Sequence, residues 1–523
     1  MKSTLKRAGE GGRCGFEAAL VLGLALVGLL HGAGEAADAS VGRPPRIAPD
    51  YAGIVIPTNI APLNFVIREP GVRYRARWSA AGGSEVAVEG KSASIRFPAG
   101  SWRRFLGVAA GREVRVEVAV KEANGGWQRF EPITNTVAPE GIDSTLVYRR
   151  LRPLYNAYQT LGIYQRDLEG SRERPVLEGA QFGNGCLNCH TFLGHRPDRM
   201  ALNIRLSGSP NPTLLVATNE VTQLLKTCGY LSWHPSGRLL VFSANRLSLF
   251  FHTVGETRDV FDADSDLGLY RVDSNTVVAP PAIARPDRLE TWPSWGPDGR
   301  QLYFCSAPKL VPMKQRRYRE VRYDLVRVSY DVDRDRWGEA ETVVSAEQMQ
   351  LSAAQPRVSP DGRYLVYGLA AYGNFPIYQT NADLYVQDLR SGAHRRLEIN
   401  SDAADTWHCW SSNSRWLVFS SKRQDGVFAR PYFTRVDEEG RFSKPFVLPQ
   451  ADPAFYDACL QTFNVPELVS GPVTVSPAAL ARGVLKPGRV LKPVPVLHPE
   501  RPAGAGIQET TDAHQEPSGP TED

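Results

Sequence analysis

Long apolar runs are missing from this chain except at its start, where residues 18–30 are apolar behind a head carrying Lys2, Lys6, Arg7 and Arg13. The run is shorter than the roughly 20 residues that cross a bilayer. With the small residues Ala37-Asp38-Ala39 behind it, it reads as a signal peptide over 1–39, cleaved near Ala39. The expectation is an exported, periplasmic protein with no transmembrane span in its mature form; Cys14 precedes the apolar run and is badly placed for a lipoprotein signal. Charge of one sign is also scarce: the formal net charge is +5 over 523 residues. No basic stripe gathers it, which excludes nucleic acid as a partner. The run from Lys314 to Glu320 reads as a solvated loop. No Gly-x-Ser-x-Gly is present, so the nucleophile elbow of a hydrolase is absent.

Sulfur and imidazole are rare too, with 7 cysteines, 4 methionines and 9 histidines, yet three of these residues fall together in Cys186-Leu187-Asn188-Cys189-His190. Two thiols separated by two residues and followed by a histidine form the spacing at which haem is held by two thioethers while the imidazole ligates its iron. A zinc site needs a second ligand pair at short spacing, and the sequence offers none. A redox dithiol would follow a strand and open a helix, whereas residues 182–185 read as a glycine-bearing loop. The motif therefore predicts one covalently attached haem c, with Cys186 and Cys189 as thioether donors and His190 as proximal ligand. Covalent attachment takes place outside the bacterial cytoplasmic membrane, in agreement with the leader. Cys228, Cys305, Cys409 and Cys459 are widely spaced and read as buried small hydrophobes, with one disulfide as the alternative.

The rest of the sequence predicts a mainly β protein: a β-sandwich, a short helical or loop segment carrying the haem motif, then a five- or six-bladed propeller. Residues 40–50, rich in Pro and Arg, read as a short linker. Over 51–143, period-two alternation such as Val114, Val116, Val118 and Val120 against Arg115 and Glu117 predicts a sandwich. Residues 144–203 read as a haem-binding connector, with a helical turn or two before Pro153. From about residue 204 to 468 the chain repeats. Trp233-His234-Pro235-Ser236-Gly237-Arg238, Trp295-Gly296-Pro297-Asp298-Gly299-Arg300, Val358-Ser359-Pro360-Asp361-Gly362-Arg363 and Trp410-Ser411-Ser412-Asn413-Ser414-Arg415 are copies of one strand–turn–strand unit. Each is followed by another strand pair, and four strands per period make a propeller blade. Half blades at 213–225 and 431–448 could combine to close the ring. Residues 469–523, rich in Pro, Ala, Gly and charge, read as a disordered tail.

The repeats resemble the WD40-like (PD40) repeats of TolB-type propellers. Residues 51–468 resemble an uncharacterised exported family in which such a propeller carries a c-type haem motif. The resemblance rests on Ile56-Pro57-Thr58-Asn59-Ile60-Ala61-Pro62-Leu63-Asn64-Phe65, Gly162-Ile163-Tyr164-Gln165-Arg166-Asp167, Cys189-His190-Thr191-Phe192, Pro197-Asp198-Arg199-Met200, Phe251-His252-Thr253 and Asn464-Val465-Pro466-Glu467. It implies the architecture and the haem site, and no reaction. Ser236 and Asn413-Ser414 depart from the Asp-Gly of the repeat turn.

The ligand on the far side of the iron decides its chemistry: methionine raises the potential, a second histidine lowers it, and an open position admits small molecules. Outside the leader the methionines are Met200, Met313 and Met349. Met200, ten residues past His190, is the first candidate for the iron's distal ligand. His252, flanked by aromatics, is the alternative, and His195 stands too near His190 to span to the other face. His234 and His408 lie in repeat strands and read as structural. Arg149, Arg150, Arg152 and Arg166 could meet haem propionates. Three readings follow: periplasmic electron transfer or redox sensing on a propeller platform, with redox or envelope proteins as partners; a TolB-like interaction scaffold with a structural haem; or a haem enzyme acting on a small oxidant. For the last, Asp262, Asp264 and Asp266 are possible proton donors, against their reading as a solvated acidic loop.

Overall fold

The computed structural model describes residues 39–496, apart from residues 124, 153–160, 207–210, 251–258 and 311–314. The leader and the last residues of the tail therefore lie outside the described residues, as does His252. Among those described, no helix is long and apolar enough to cross a membrane.

The N-terminal part is a sandwich of a seven-stranded and a three-stranded sheet. Its central strand, Glu113–Lys121, pairs along its length with Arg73–Ala80. The alternation read from Val114 to Val120 puts those valines on the inner face, where they pack with Trp78, Phe97, Trp102 and Phe105. Trp78 and Trp102 meet edge to face at 5.2 Å, a favoured geometry for aromatic pairs. Trp102 and Phe105 sit on a helix, Ala99–Ala109, that the period-two pattern does not announce.

Behind the sandwich, six sheets form a closed ring. Blade 1 comprises Thr145–Leu151, Gly162–Asp167, Glu173–Glu178 and, innermost, Thr462–Val469 from near the C-terminus. Blade 2 comprises Cys186–Phe192, Arg199–Arg205, Thr213–Ala217 and Glu220–Leu224. Blade 3 runs from Gly229–Trp233 through Leu239–Phe250 and Asp259–Arg271 to Thr276–Val278. Blade 4 holds Arg288–Trp295, Gln301–Pro308, Asp324–Asp331 and Arg336–Val344; blade 5 holds Ser352–Val358, Tyr364–Ala370, Asp383–Asp388 and His394–Arg396. Blade 6 ends the series with Asp405–Trp410, Trp416–Ser421, Arg430–Arg435 and Phe446–Val447. The first strand of each of blades 2 to 6 is innermost, and each inner strand contacts those of the neighbouring blades.

Several expectations are corrected here, the first being the linker over 40–50, which supplies the sandwich strands Ala39–Val41 and Ile47–Ala48. Residues 144–203 are not a connector: they supply three strands of blade 1 and the start of blade 2. The segment expected to turn as a helix is the strand Thr145–Leu151, held between Gly162–Asp167 on one edge and Thr462–Val469 on the other. The half blades at 213–225 and 431–448 are the outer strands of blades 2 and 6, so ring closure falls instead to Thr462–Val469 pairing antiparallel with Thr145–Leu151. The tail is ordered well past residue 469. Pro477–Leu485 is a helix whose N-cap, the Ser476 hydroxyl, accepts from the Ala479 amide at 3.2 Å. Beyond it, Val490–Leu491 and Val494–Val496 add parallel strands to the outer edges of blades 2 and 3.

The repeat turns are built alike. The side chain at the Asp position accepts from the amide two residues on, at 2.9 Å in Asp298, 3.1 Å in Asp361 and 3.1 Å in Asn413. The next residue has positive φ, +72° in Gly299 and Gly362 and +61° in Ser414. Ser414 tolerates this conformation while its hydroxyl accepts from the Asp361 amide of blade 5 at 2.9 Å.

Candidate functional site at the propeller channel

Every inner strand carries a bulge where it faces the channel. Bulges re-aim side chains and concentrate near functional sites. The first bulge residue has positive φ in Tyr230, Trp292, Gln355, Trp407 and Val465, and it is followed by Leu231, Pro293, Pro356, His408 and Pro466. In blade 2 the same place is taken by Asn188-Cys189, between the Leu187 and His190 pairings. The motif therefore lies on the innermost strand of a blade, at its bulge, and not on a loop or helix between sandwich and propeller.

These bulges wall a cavity of about 30 Å³ lined by Cys189, His190, Tyr230, Trp292, Arg357 and His408, among others. Tyr230 stacks on Trp292 at 3.5 Å, and Trp292 meets Trp407 edge-on at 5.0 Å. Arg357 donates to the buried Glu467 carboxylate of blade 1 at 2.9 Å.

His190 is buried, and neither ring nitrogen makes a hydrogen bond at 3.5 Å or less, the Val147 backbone being a weak neighbour that raises its pKa slightly. Burial, then the charges of Arg357 and Arg149, hold its pKa down to about 3, so the imidazole is neutral with a lone pair to give. Burial raises the Cys189 thiol. Cys186 is half-buried and within 3.9 Å of Arg149 Nη2. The six described cysteines are all unpaired, which leaves Cys228, Cys305 and Cys409 as buried thiols.

The remaining candidates scatter. Met200 is fully buried in the apolar cluster shared by blades 1 and 2, with Phe192, Leu202 and Val469, and does not line the cavity. His195 binds the Leu468 carbonyl through Nδ1 at 2.9 Å, fastening blade 2 to the closing strand. His234 is structural, as its place in a repeat strand implies: Nδ1 meets Ser236 Oγ at 2.7 Å and Nε2 meets the Gly299 carbonyl at 3.0 Å. Arg150 pairs with Glu173. Arg166 is buried against blade 6, donating to Gln450 Oε1 at 2.9 Å and to the Pro449 carbonyl at 2.7 Å.

The acidic residues of blade 3 are not a solvated loop. Asp262 is buried, receives Asn245 Nδ2 at 2.9 Å and Asn374 Nδ2 at 2.6 Å, and burial pushes its pKa up to about 7. Asp264 pairs with Lys309 at 2.6 Å. Sequence reasoning passed over Arg205, which stands opposite Cys186 in register, and Arg357, and it read His408, which lines the cavity, as structural. The signal for His408 was available: Thr406-Trp407-His408-Cys409-Trp410 matches Thr291-Trp292-Pro293-Ser294-Trp295, with histidine where that copy has proline.

The donor set suits a c-type haem: two free thiols and a buried neutral imidazole on one strand, with arginines beside them. The cavity has room for a water or two, well short of the roughly 300–1,000 Å³ of small-molecule pockets. Seating a porphyrin there requires the blade 2 bulge and the aromatic wall to move apart.

Six blades in a ring, four of four strands and two widened to five, with a sandwich on one side and a chemically distinct channel, define a six-bladed β-propeller protein. Solved structures similar to it include TolB from Acinetobacter baumannii, at 14% identity over 68% of this chain and 79% of that one, with a TM-score of 0.40. The hypothetical selenium-binding protein ST0059 from Sulfolobus tokodaii matches at 9% identity over 69% and 91%, with a TM-score of 0.38. The Dos1 propeller matches at 11% over 51% and 63%, with a TM-score of 0.32. No family model and no curated protein matches the chain.

Proposed function

We propose that this chain is an exported c-type haem protein in which the propeller is a docking platform for periplasmic redox or envelope proteins, and the haem serves electron transfer or redox sensing. The observation that carries this reading is His190, buried and neutral, with no hydrogen bond to either ring nitrogen at 3.5 Å or less and only a weak contact with the Val147 backbone, directly after Cys186 and Cys189 in thioether spacing. A buried polar group without a partner costs about 1–3 kcal/mol, and ligation would remove that cost.

In this reading Cys186 and Cys189 hold the group, His190 ligates its iron, and Arg149 and Arg205 stand near enough to the motif to meet carboxylates. The group when bound supplies a one-electron couple. The chain's own residues orient it and keep water out through the Tyr230, Trp292 and Trp407 wall. The second reading is an interaction scaffold in which the haem is structural.

Redox titration of the protein purified from the periplasm of a host with a haem-attachment system tests the first reading. A reversible one-electron couple in the physiological range is expected. A bound haem that neither accepts nor yields an electron there would leave the structural role.

A further inference from the structure

At one end of the ring, where the second strand of each blade passes to the third, the connections of blades 3, 4 and 5 touch one another. The blade 3 hairpin is long, with strands of 12 and 13 residues against 7 and 6 in blade 5. Its outer half carries Asp259, Phe261 and Asp262. Phe261 stacks at 4.7 Å on Tyr318, which stands on the short helix Gln315–Glu320 of blade 4.

Blade 5 reaches both through residues 371–379. The Tyr372 hydroxyl donates to Asp259 at 2.7 Å, and its ring meets Tyr318 edge-on at 5.6 Å. Asn374 Nδ2 donates to Asp262 at 2.6 Å. Gly373, at a φ of +64°, makes the turn between them. The same loop lies on two residues that line the channel cavity, Trp292 of blade 4 and Trp407 of blade 6. Trp292 Nε1 donates to the Asn374 carbonyl at 2.8 Å, and Phe375 meets Trp407 edge-on at 5.9 Å. A blade 5 segment that bonds to blade 3 and packs on walls from blades 4 and 6 spans the mouth of the channel.

We propose that residues 371–379 are a gate on this mouth, latched to blade 3 through Asp259 and Asp262. The proposal rests on these contacts and not on haem attachment. The strand before the loop, Tyr364–Ala370, is laddered on both edges, whereas the loop is held to blade 3 by side-chain bonds, each worth only about 1 kcal/mol net. Loop and strand therefore differ in how easily they open.

The latches also make opening depend on pH. Asp262 faces Asn245, Ser265 and Asp264 of its own hairpin, the last paired with Lys309, and the phenols of Tyr230 and Tyr323. Burial dominates, so with the gate closed this carboxyl keeps its proton up to about 7, against 3.8 in water. Asp259, facing Tyr372, Tyr318 and Arg319, is raised for the same reason. Between those values the closed state binds more protons than the open one, so rising pH favours opening and the effect levels off above 7. Asp262 alone can shift the equilibrium by up to about a thousandfold.

The test is amide hydrogen exchange of the full-length protein from pH 5 to 8, corrected for intrinsic rates, with hydroxyl-radical footprinting at pH 7. Exchange in 371–379 should rise several-fold to pH 7 and then level off, while Tyr364–Ala370 stays protected. Tyr372→Phe deletes one latch bond and keeps the ring. It should raise loop exchange about fivefold and increase oxidation of Trp292 and Trp407 in step, leaving Trp78 of the sandwich unchanged. Asp262→Asn should flatten the pH dependence. Loop exchange that ignores pH, rises only together with Tyr364–Ala370, or keeps its full pH dependence in Asp262→Asn contradicts the latch. Trp292 and Trp407 staying as protected as Trp78 while the loop opens contradicts its role as the cover. The wild-type pH series decides even where a variant fails to fold.

Discussion

Gly299 shows how closely single residues are constrained in the ring. Its φ is +72°, and a Cβ there would lie 2.3 Å from His234 Nε2 of the neighbouring blade. Gly299→Ala combines left-handed strain of about 1–2 kcal/mol with a clash against a hydrogen-bonded ring. A loss of at least about 2 kcal/mol is expected in chemical denaturation. Asp262 gives a pH-dependent counterpart. Its carboxyl keeps its proton in the folded state up to about pH 7, whereas a free aspartate loses it near 3.8. Between those values the folded protein binds more protons than the unfolded one, so this contribution to stability is full below about pH 4 and is lost as pH rises to 7. Glu290, buried and pushed up to about 9, acts in the same direction. Denaturation midpoints should therefore fall on going from pH 5 to 8. Asp262→Asn should remove part of that fall, on the order of 2–4 kcal/mol at most. A pH slope identical in the variant would contradict the buried, protonated carboxyl.

At the scale of the element, the closing strand Thr462–Val469 is buried along its whole length and ties blade 1 to the rest of the ring. Leu468→Ala should cost about 2–5 kcal/mol and lower a single transition, because blade 1 has no inner strand without it. A separate early melting step confined to blade 1 would contradict this. The same element explains what could be read from the sequence. Blades 3 to 6 are legible because each carries the turn ending at Arg238, Arg300, Arg363 or Arg415. Blades 1 and 2 lack it: Cys186–Phe192 joins Arg199–Arg205 through a short turn, Leu193–His195, and blade 1 takes its inner strand from the other end of the chain. A pairing such as Leu146 with Leu468 leaves no local pattern. The Cys186–His190 run was legible as a set of thiol and imidazole donors, but its place was not, because an inner-strand bulge has no fixed composition. His408 was hidden by its strand context, and its place on the cavity wall shows only once the ring is closed.

For the whole molecule, sandwich and propeller share one apolar cluster reaching from Trp78 to Trp416. Polar ties reinforce it: Asp143 accepts from the Ser412 amide at 2.7 Å and from its hydroxyl at 2.6 Å, and Arg435 Nε donates to Glu140 at 2.7 Å. Calorimetry should therefore show sandwich and propeller unfolding together, and Arg166→Ala, which strips partners from Pro449 and Gln450, should lower that transition or split it. The size of the channel has a further consequence. Attachment of a porphyrin must open the blade 2 bulge, so protein with and without haem should differ in amide hydrogen exchange over residues 182–192 and little in blade 4.

The central claim is that Cys186 and Cys189 carry a haem on the channel wall. Its most direct test is the mass of the proteolytic peptide containing Cys186-Leu187-Asn188-Cys189-His190, taken from protein exported alongside a haem-attachment system. The account predicts that peptide with one haem added through both cysteines, and no addition in the Cys186→Ser, Cys189→Ser double variant. The same peptide recovered unmodified from folded, exported wild-type protein, with both thiols free, would contradict it.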